Sequence, residues 1–97
     1  MTDVDTNVDD DLGNQIDAAT AQDVLEYLAK AIVDDPESVQ IDVEEGNRGR
    51  IELVLSVAPD NMGKIIGRRG RVIQSIRTVV RAAGEIDGAK VDVEVND

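Results

Sequence analysis

The sequence predicts an α+β fold, a two-layer sandwich in which a three-stranded sheet is covered on one face by three helices, in the order αββααβ. Three observations predict it. The chain has 97 residues, room for one ordinary domain and not for two. Its apolar residues are mostly β-branched, 14 Val and 9 Ile with Tyr27 as the only aromatic, so the core is aliphatic and strand-favouring. The hydrophobic period also switches along the chain between the helical and the strand value.

Residues 1–20 hold six Asp and no base, with only scattered Val4, Val8, Leu12 and Ile16. Such a segment buries too little apolar surface to offset its backbone entropy. Residues 1–19 are therefore expected to be a disordered acidic tail, with a weak helix from Leu12 as the alternative, and residues 20–97 the folded domain. Thr20 and Asp23 are spaced as a capping box, with Asp in place of the usual Glu or Gln. The helix they open carries Val24, Leu25, Leu28 and Ile32 on one face and stops at Asp34-Asp35-Pro36. Two alternating runs follow. Val39, Ile41 and Val43 point inward in the first, and Ile51, Leu53, Leu55 and Val57 in the second, joined by a turn at Gly46-Asn47-Arg48-Gly49. Pro59-Asp60 opens a short helix with Met62, Ile65 and Ile66, broken at Gly67. A longer helix from about Arg71 turns Val72, Ile73, Ile76, Val79, Val80 and Ala83 inward and is expected to end near Gly84. Val91, Val93 and Val95 face inward from the last strand.

Composition removes several function classes. The chain has no His and no Cys, hence no imidazole base, thiol nucleophile, disulfide or ordinary zinc or haem site. The carboxylates fall in the tail, on alternating strand faces and at helix ends, where solvation is their ordinary role. No catalytic residue, metal ligand or cofactor is assigned, and no enzymatic activity is expected. No apolar run approaches the ~20 residues of a membrane span, and the Asp-rich start does not resemble a signal peptide. A cytoplasmic location is expected. Without Phe or Trp, the chain cannot bind single strands by stacking bases on an aromatic sheet. The open sheet face would carry Gln40, Asp42, Glu44, Glu52, Val54, Ser56, Asp92 and Glu94, and five carboxylates there would repel phosphate.

The net charge of −11 conceals the informative segment. From Gly63 through Gly84 there are six bases, Lys64, Arg68, Arg69, Arg71, Arg77 and Arg81, and no acid. Within it, Gly67-Arg68-Arg69-Gly70 joins two helices. Glycines three apart let the backbone come close to a ligand, and the first turn of the following helix offers unpaired N–H groups and a positive dipole end to a phosphate. A Walker A loop is disfavoured, because Gly67 is followed by Arg68-Arg69.

The I-I-G-R-R-G-R-V-I segment (residues 65–73) resembles the KH domain, and the element order resembles its bacterial, type II arrangement. More closely, L-E-Y-L-A-K-A-I-V-D-D-P-E-S-V and V-A-P-D-N-M-G-K-I-I-G-R-R-G-R-V-I-Q-S-I-R-T-V-V-R-A-A are similar to the bacterial KhpA (YlqC) family over about residues 24–95. That resemblance implies single-stranded RNA binding, with a GxxG loop of Gly67, Arg68, Arg69 and Gly70 clamping about four nucleotides of backbone. Ile65, Ile66, Val72 and Ile73 would line the groove or the core beneath it. Lys64 and Arg71 would be flanking phosphate contacts, whereas Arg77 and Arg81 are divided between phosphate contact and solvation of an outer helix face. A post-transcriptional regulator or RNA chaperone is implied, self-associated as a homodimer or joined to a KhpB (Jag/EloR)-type protein. The alternative is a KH-fold protein-interaction adaptor, using the acidic sheet or Val54, with RNA binding incidental. The acidic N-terminal segment is a departure from the family pattern.

Overall fold

Helical periodicity and strand alternation build the expected order in the computed structural model, which describes residues 18–96. Helix α1 spans Ala19–Ile32, strands β1 and β2 span Gln40–Glu45 and Ile51–Ser56, helix α2 spans Met62–Ile66, helix α3 spans Arg71–Ile86, and β3 spans Val91–Val95. The expected disordered tail over residues 1–19, and the alternative helix from Leu12, lie outside the described residues as far as residue 17. Ala18 and Ala19 already belong to the fold, since Ala18 is buried and its carbonyl accepts the Gln22 N–H at 2.8 Å.

The sheet order is β1-β2-β3. β1 pairs antiparallel with β2, placing Ile41 opposite Leu55 and Glu44 opposite Glu52. β2 pairs parallel with β3, placing Leu53 beside Val93 and Glu52 beside Asp92. A parallel neighbour needs a crossover, and α2 with α3 supply it. Leu53, Leu55, Val91 and Val93 are buried against Ala21, Leu25, Ala29, Ile65, Ile73, Ile76 and Val80. The helices therefore cover one sheet face, and alternation leaves the carboxylates on the other.

Contacts at both of its ends fix α1 against the rest of the helical layer. Asp87, just past α3, meets Thr20 near the start of α1. Past the end of α1, the Asp34 N–H donates to Oδ1 of Asn61, 3.1 Å away, ahead of α2. Asn61 is 3% exposed and pins the α1 terminus to the segment that leads into the glycine turn. Ser38 ties the hairpin to the same segment by accepting the Ala58 N–H at 3.1 Å.

Four local expectations are corrected. Thr20 is not an N-cap. Ala18 holds that position without a side-chain cap, and the Thr20 N–H and hydroxyl donate to Oδ2 and Oδ1 of Asp87 at 2.8 and 2.9 Å. A carboxylate 67 residues away thus takes up an otherwise orphaned amide. Val43 is 50% exposed, because β1 is an edge strand and the helical layer reaches only its Ile41 end. Val79 is 48% exposed: the apolar arc of α3 is wider than the strip that α1 and the sheet cover. α3 also runs through Gly84 to Ile86. Gly84 is buried in the last turn, where a Cβ would stand 2.7 Å from Val91 Cγ2, so it allows helix and strand to approach. Termination falls to Gly88, whose N–H bonds to Glu85 O at 3.0 Å while the Ala89 N–H bonds to Gly84 O at 2.9 Å, the pairing of a Schellman motif.

Candidate nucleic-acid interface

The site is built where α2 ends and α3 begins. α2 closes with the Gly67 N–H donating to Gly63 O at 2.8 Å. Gly67 then takes φ 75, ψ 176, backbone that a Cβ all but forbids. A tight turn over Arg68–Gly70 follows, with Gly70 N–H bonded to Gly67 O at 3.1 Å and the Arg71 N–H to Arg68 O. Arg69 sits at φ 55, ψ 26 and Gly70 at φ 74, ψ 16, both left-handed. As the first residues of their turn, Arg68 and Arg69 have amides with no intrahelical acceptor. α3 starts from Gly70 with no side-chain cap and no acid in its first turn. With the Arg71 N–H taken by Arg68 O, the positive end of the α3 dipole and the amides of Arg68 and Arg69 are what the turn offers an external anion.

Arg68, Arg69 and Arg71, all three exposed, surround this turn. Three full positive charges thus surround a helix N-terminus that no side chain caps. Lys64 is exposed too, but its Nζ lies 2.6 Å from Asp34 Oδ2, so an anion at Lys64 must displace or share that carboxylate. Nothing in the spacing of Asp34 and Lys64 along the chain announces the pair.

The aliphatic residues divide by depth. Ile65 is completely buried and Ile73 nearly so; of the two places the sequence left open for them, groove or core, both lie in the core under the turn. Ile66 and Val72 are half-buried and packed on that core. They form the apolar floor beside the loop, and Val72 lies directly against Gly67.

Arg77 and Arg81, one turn apart on α3, both reach β3, Arg77 half-buried and Arg81 exposed. Arg77 Nε donates to the Val93 carbonyl at 3.2 Å. Arg81 Nη2 lies 3.5 Å from Asp92 Oδ1, and Arg50 Nη1 lies 3.1 Å from Asp92 Oδ2. Arg50 carried no signal in the sequence, since it sits in an acidic hairpin and joins Arg81 only through the β2–β3 pairing.

The open sheet face is acidic as expected, with Glu44, Glu52 and Asp92 in one row across the three strands. Among the described residues no cluster of three or more carboxylates could hold a metal ion, and no helix is long and apolar enough to cross a membrane.

Comparison with known proteins agrees with this geometry. A family model described as the KH domain of KhpA/KhpB matches residues 22–95. The chain is 44% identical over 72 residues to the RNA-binding protein KhpA of Clostridium acetobutylicum, covering 74% of this chain and 95% of that protein. It is 46% identical over 72 residues to the RNA-binding protein KhpA of Streptomyces coelicolor, covering 74% and 89%. Against that of Mycobacterium tuberculosis the identity is 41% over 76 residues, covering 78% and 92%. Among solved structures, Era in complex with MgGDPNP and nucleotides 1506–1542 of 16S ribosomal RNA aligns with TM-score 0.54 and 24% identity, over 77% of this chain and 28% of that one. That likeness establishes a shared fold for one part of a longer protein. With the glycine turn, the αββααβ order and near full-length relatives in agreement, the chain belongs to the KhpA/KhpB family of KH domains.

Proposed function

We propose that the chain binds single-stranded RNA by clamping its phosphodiester backbone at the Gly67–Gly70 turn. One observation carries this reading: the uncapped start of α3, approached through two positive-φ glycines and surrounded by Arg68, Arg69 and Arg71. The arrangement presents amide donors, a helix dipole and guanidinium groups to one anion-sized position. The names of the curated relatives as RNA-binding proteins support the choice of RNA. Ile66 and Val72 offer an aliphatic floor for bases, in place of aromatic stacking. The binding unit begins at about residue 18, with the acidic segment ahead of it. The role is binding without a catalytic step, as a post-transcriptional regulator or RNA chaperone in the cytoplasm.

The test is a salt titration by fluorescence anisotropy with a short single-stranded RNA. If three or four phosphates are neutralised, log affinity falls against log salt with a slope of roughly −2 to −3, at about −0.7 per phosphate. Changing Arg68 and Arg69 together to Asp abolishes binding and leaves the melting temperature unchanged, because neither side chain is part of the core. A flat salt response, or wild-type affinity in the Asp pair, would refute the clamp.

A specific observation favours a second association. Val72, Val79 and Ile86 recur at seven-residue spacing along α3, with Ser75 and Ala82 between them, and Val79 and Ile86 remain 48% and 76% exposed. Such a strip suits a helix from a second copy or from a KhpB-type protein. Val79→Glu would then lower the mass seen by sedimentation without weakening short-RNA binding.

A further inference from the structure

We infer that Arg50, Arg81 and Lys90 form a second phosphodiester-binding site, which takes RNA that extends beyond the Gly67–Gly70 clamp. The inference rests on the clamp reading and lengthens its footprint.

Successive residues of an α-helix are rotated by about 100°. Gly70, Gln74, Arg77 and Arg81 therefore lie on one narrow stripe of α3, which begins at the second glycine of the turn. With a rise of 1.5 Å per residue, Arg81 stands about 15 Å beyond the loop, past the roughly four nucleotides that a GxxG turn holds. At that end of the stripe a shallow cavity of about 250 Å³ is lined by Arg50, Arg81, Glu85, Ala89, Lys90 and Val91.

Three cations, Arg50, Arg81 and Lys90, stand at this cavity against two carboxylates, Glu85 in its lining and Asp92 between the arginines, which leaves an excess of positive charge for a phosphate. Asp92 holds both guanidinium groups, one nitrogen of each, at 3.1 and 3.5 Å. A guanidinium has five N–H donors in a rigid fork, so each arginine keeps most of its donors after satisfying Asp92. The carboxylate positions two side chains that come from different elements, and thereby removes part of the entropy a ligand would otherwise have to freeze. Both arginines are about half exposed, and Lys90 adds a third cation from the turn after α3. Arg77 lies between this cluster and the loop, anchored on the Val93 carbonyl, and supplies an intermediate positive charge on the stripe. Asp92 belongs to the carboxylate row of the open sheet face, so Arg50 and Arg81 gather at the β3 edge of that face and offset its charge there.

The experiment measures the affinity of the full chain for single-stranded RNAs of about 5 and about 12 nucleotides, one near the four-nucleotide reach of the turn and one well beyond it, by anisotropy at fixed salt. The double variant Arg50→Gln and Arg81→Gln should bind the shorter RNA as wild type does. It should bind the longer one roughly fivefold more weakly, with a salt slope shallower by about 0.7 for each phosphate no longer neutralised. The unchanged affinity for the shorter RNA verifies that the variant is folded. Lys30→Gln removes one charge from the outer face of α1, where Lys30 pairs with Glu26, and should leave both affinities close to wild type. Wild-type affinity of the double variant for the longer RNA, while the Arg68/Arg69 Asp pair loses it, would overturn the second site and leave the clamp standing. Equal weakening on both lengths would also overturn it, since the cluster would then act through the clamp or the fold. If the wild-type chain bound neither RNA, the clamp reading would fail and the second site with it.

Discussion

Gly67→Ala should unfold the loop's support far more readily than Gly70→Ala, although the two glycines sit three residues apart with nearly equal φ. At Gly67 the backbone is at φ 75, ψ 176, a region essentially reserved for glycine that costs another residue about 1–3 kcal/mol. A Cβ there would also meet Val72 Cγ2 at 2.3 Å, Val72 Cβ at 2.7 Å and Val72 N at 2.9 Å. The methyl could only turn away against the stiff χ1 of a helical valine, and the amide nitrogen could not move without α3. Overpacking of this kind adds about 1–3 kcal/mol. Gly70, at φ 74, ψ 16, is left-handed, and a Cβ there finds only Ile73 Cγ2 at 4.0 Å. Its cost is the left-handed penalty alone, about 1 kcal/mol. In a domain of this size about 1 kcal/mol moves Tm by about 4–8 °C. At about 5 °C per kcal/mol, circular-dichroism melts should therefore place Gly67→Ala about 10–30 °C below wild type and Gly70→Ala only about 5 °C below. Equal melting temperatures for the two variants would refute the assignment of the close contact to Gly67.

Arg69→Gly should lower RNA affinity while leaving Tm the same or up to about 5 °C higher, because it relieves a left-handed non-glycine residue; a clear fall in Tm would show that the Arg69 side chain supports the fold. Asp87→Ala should cost about 1–2 kcal/mol, since it removes both bonds that hold Thr20 at the start of α1. A double-mutant cycle with Thr20→Val, read from urea melts, should give less than additive losses; strict additivity would separate the two residues. Glu52 lies between Glu44 and Asp92 in the strand register, so Glu52→Thr should stabilise by about 0.5–1 kcal/mol at low salt. The gain should shrink in molar salt as the repulsion it removes is screened, and a salt-independent gain would assign it to strand propensity instead.

Most of how the glycine turn is built was legible because it is local. The gap between Gly67 and Gly70, the arginines within it and the absence of acids through Gly84 lie in one stretch of chain, and they specify backbone freedom and charge without reference to any neighbour. Strand alternation likewise named Leu53, Leu55, Val91 and Val93 as inward, and those four are buried. The same reasoning failed at Val43 and Val79, because a period tells which side of an element a residue is on and not how far the covering layer extends. It also failed at Gly84, read as a helix stop when its missing side chain serves the approach of Val91.

On its own, then, the sequence determined the order of the elements, the aliphatic core and the basic glycine turn, all of which follow from spacings of a few residues. Only the tertiary structure decided that Asp87 would hold the start of α1, that Asp34 would occupy Lys64, that Ile65 would lie beneath the turn rather than beside a ligand, and that Arg50 would meet Arg81 across Asp92. Each of those depends on two groups distant along the chain reaching hydrogen-bonding or van der Waals range, and that proximity is set by how the layers pack, which no local pattern encodes.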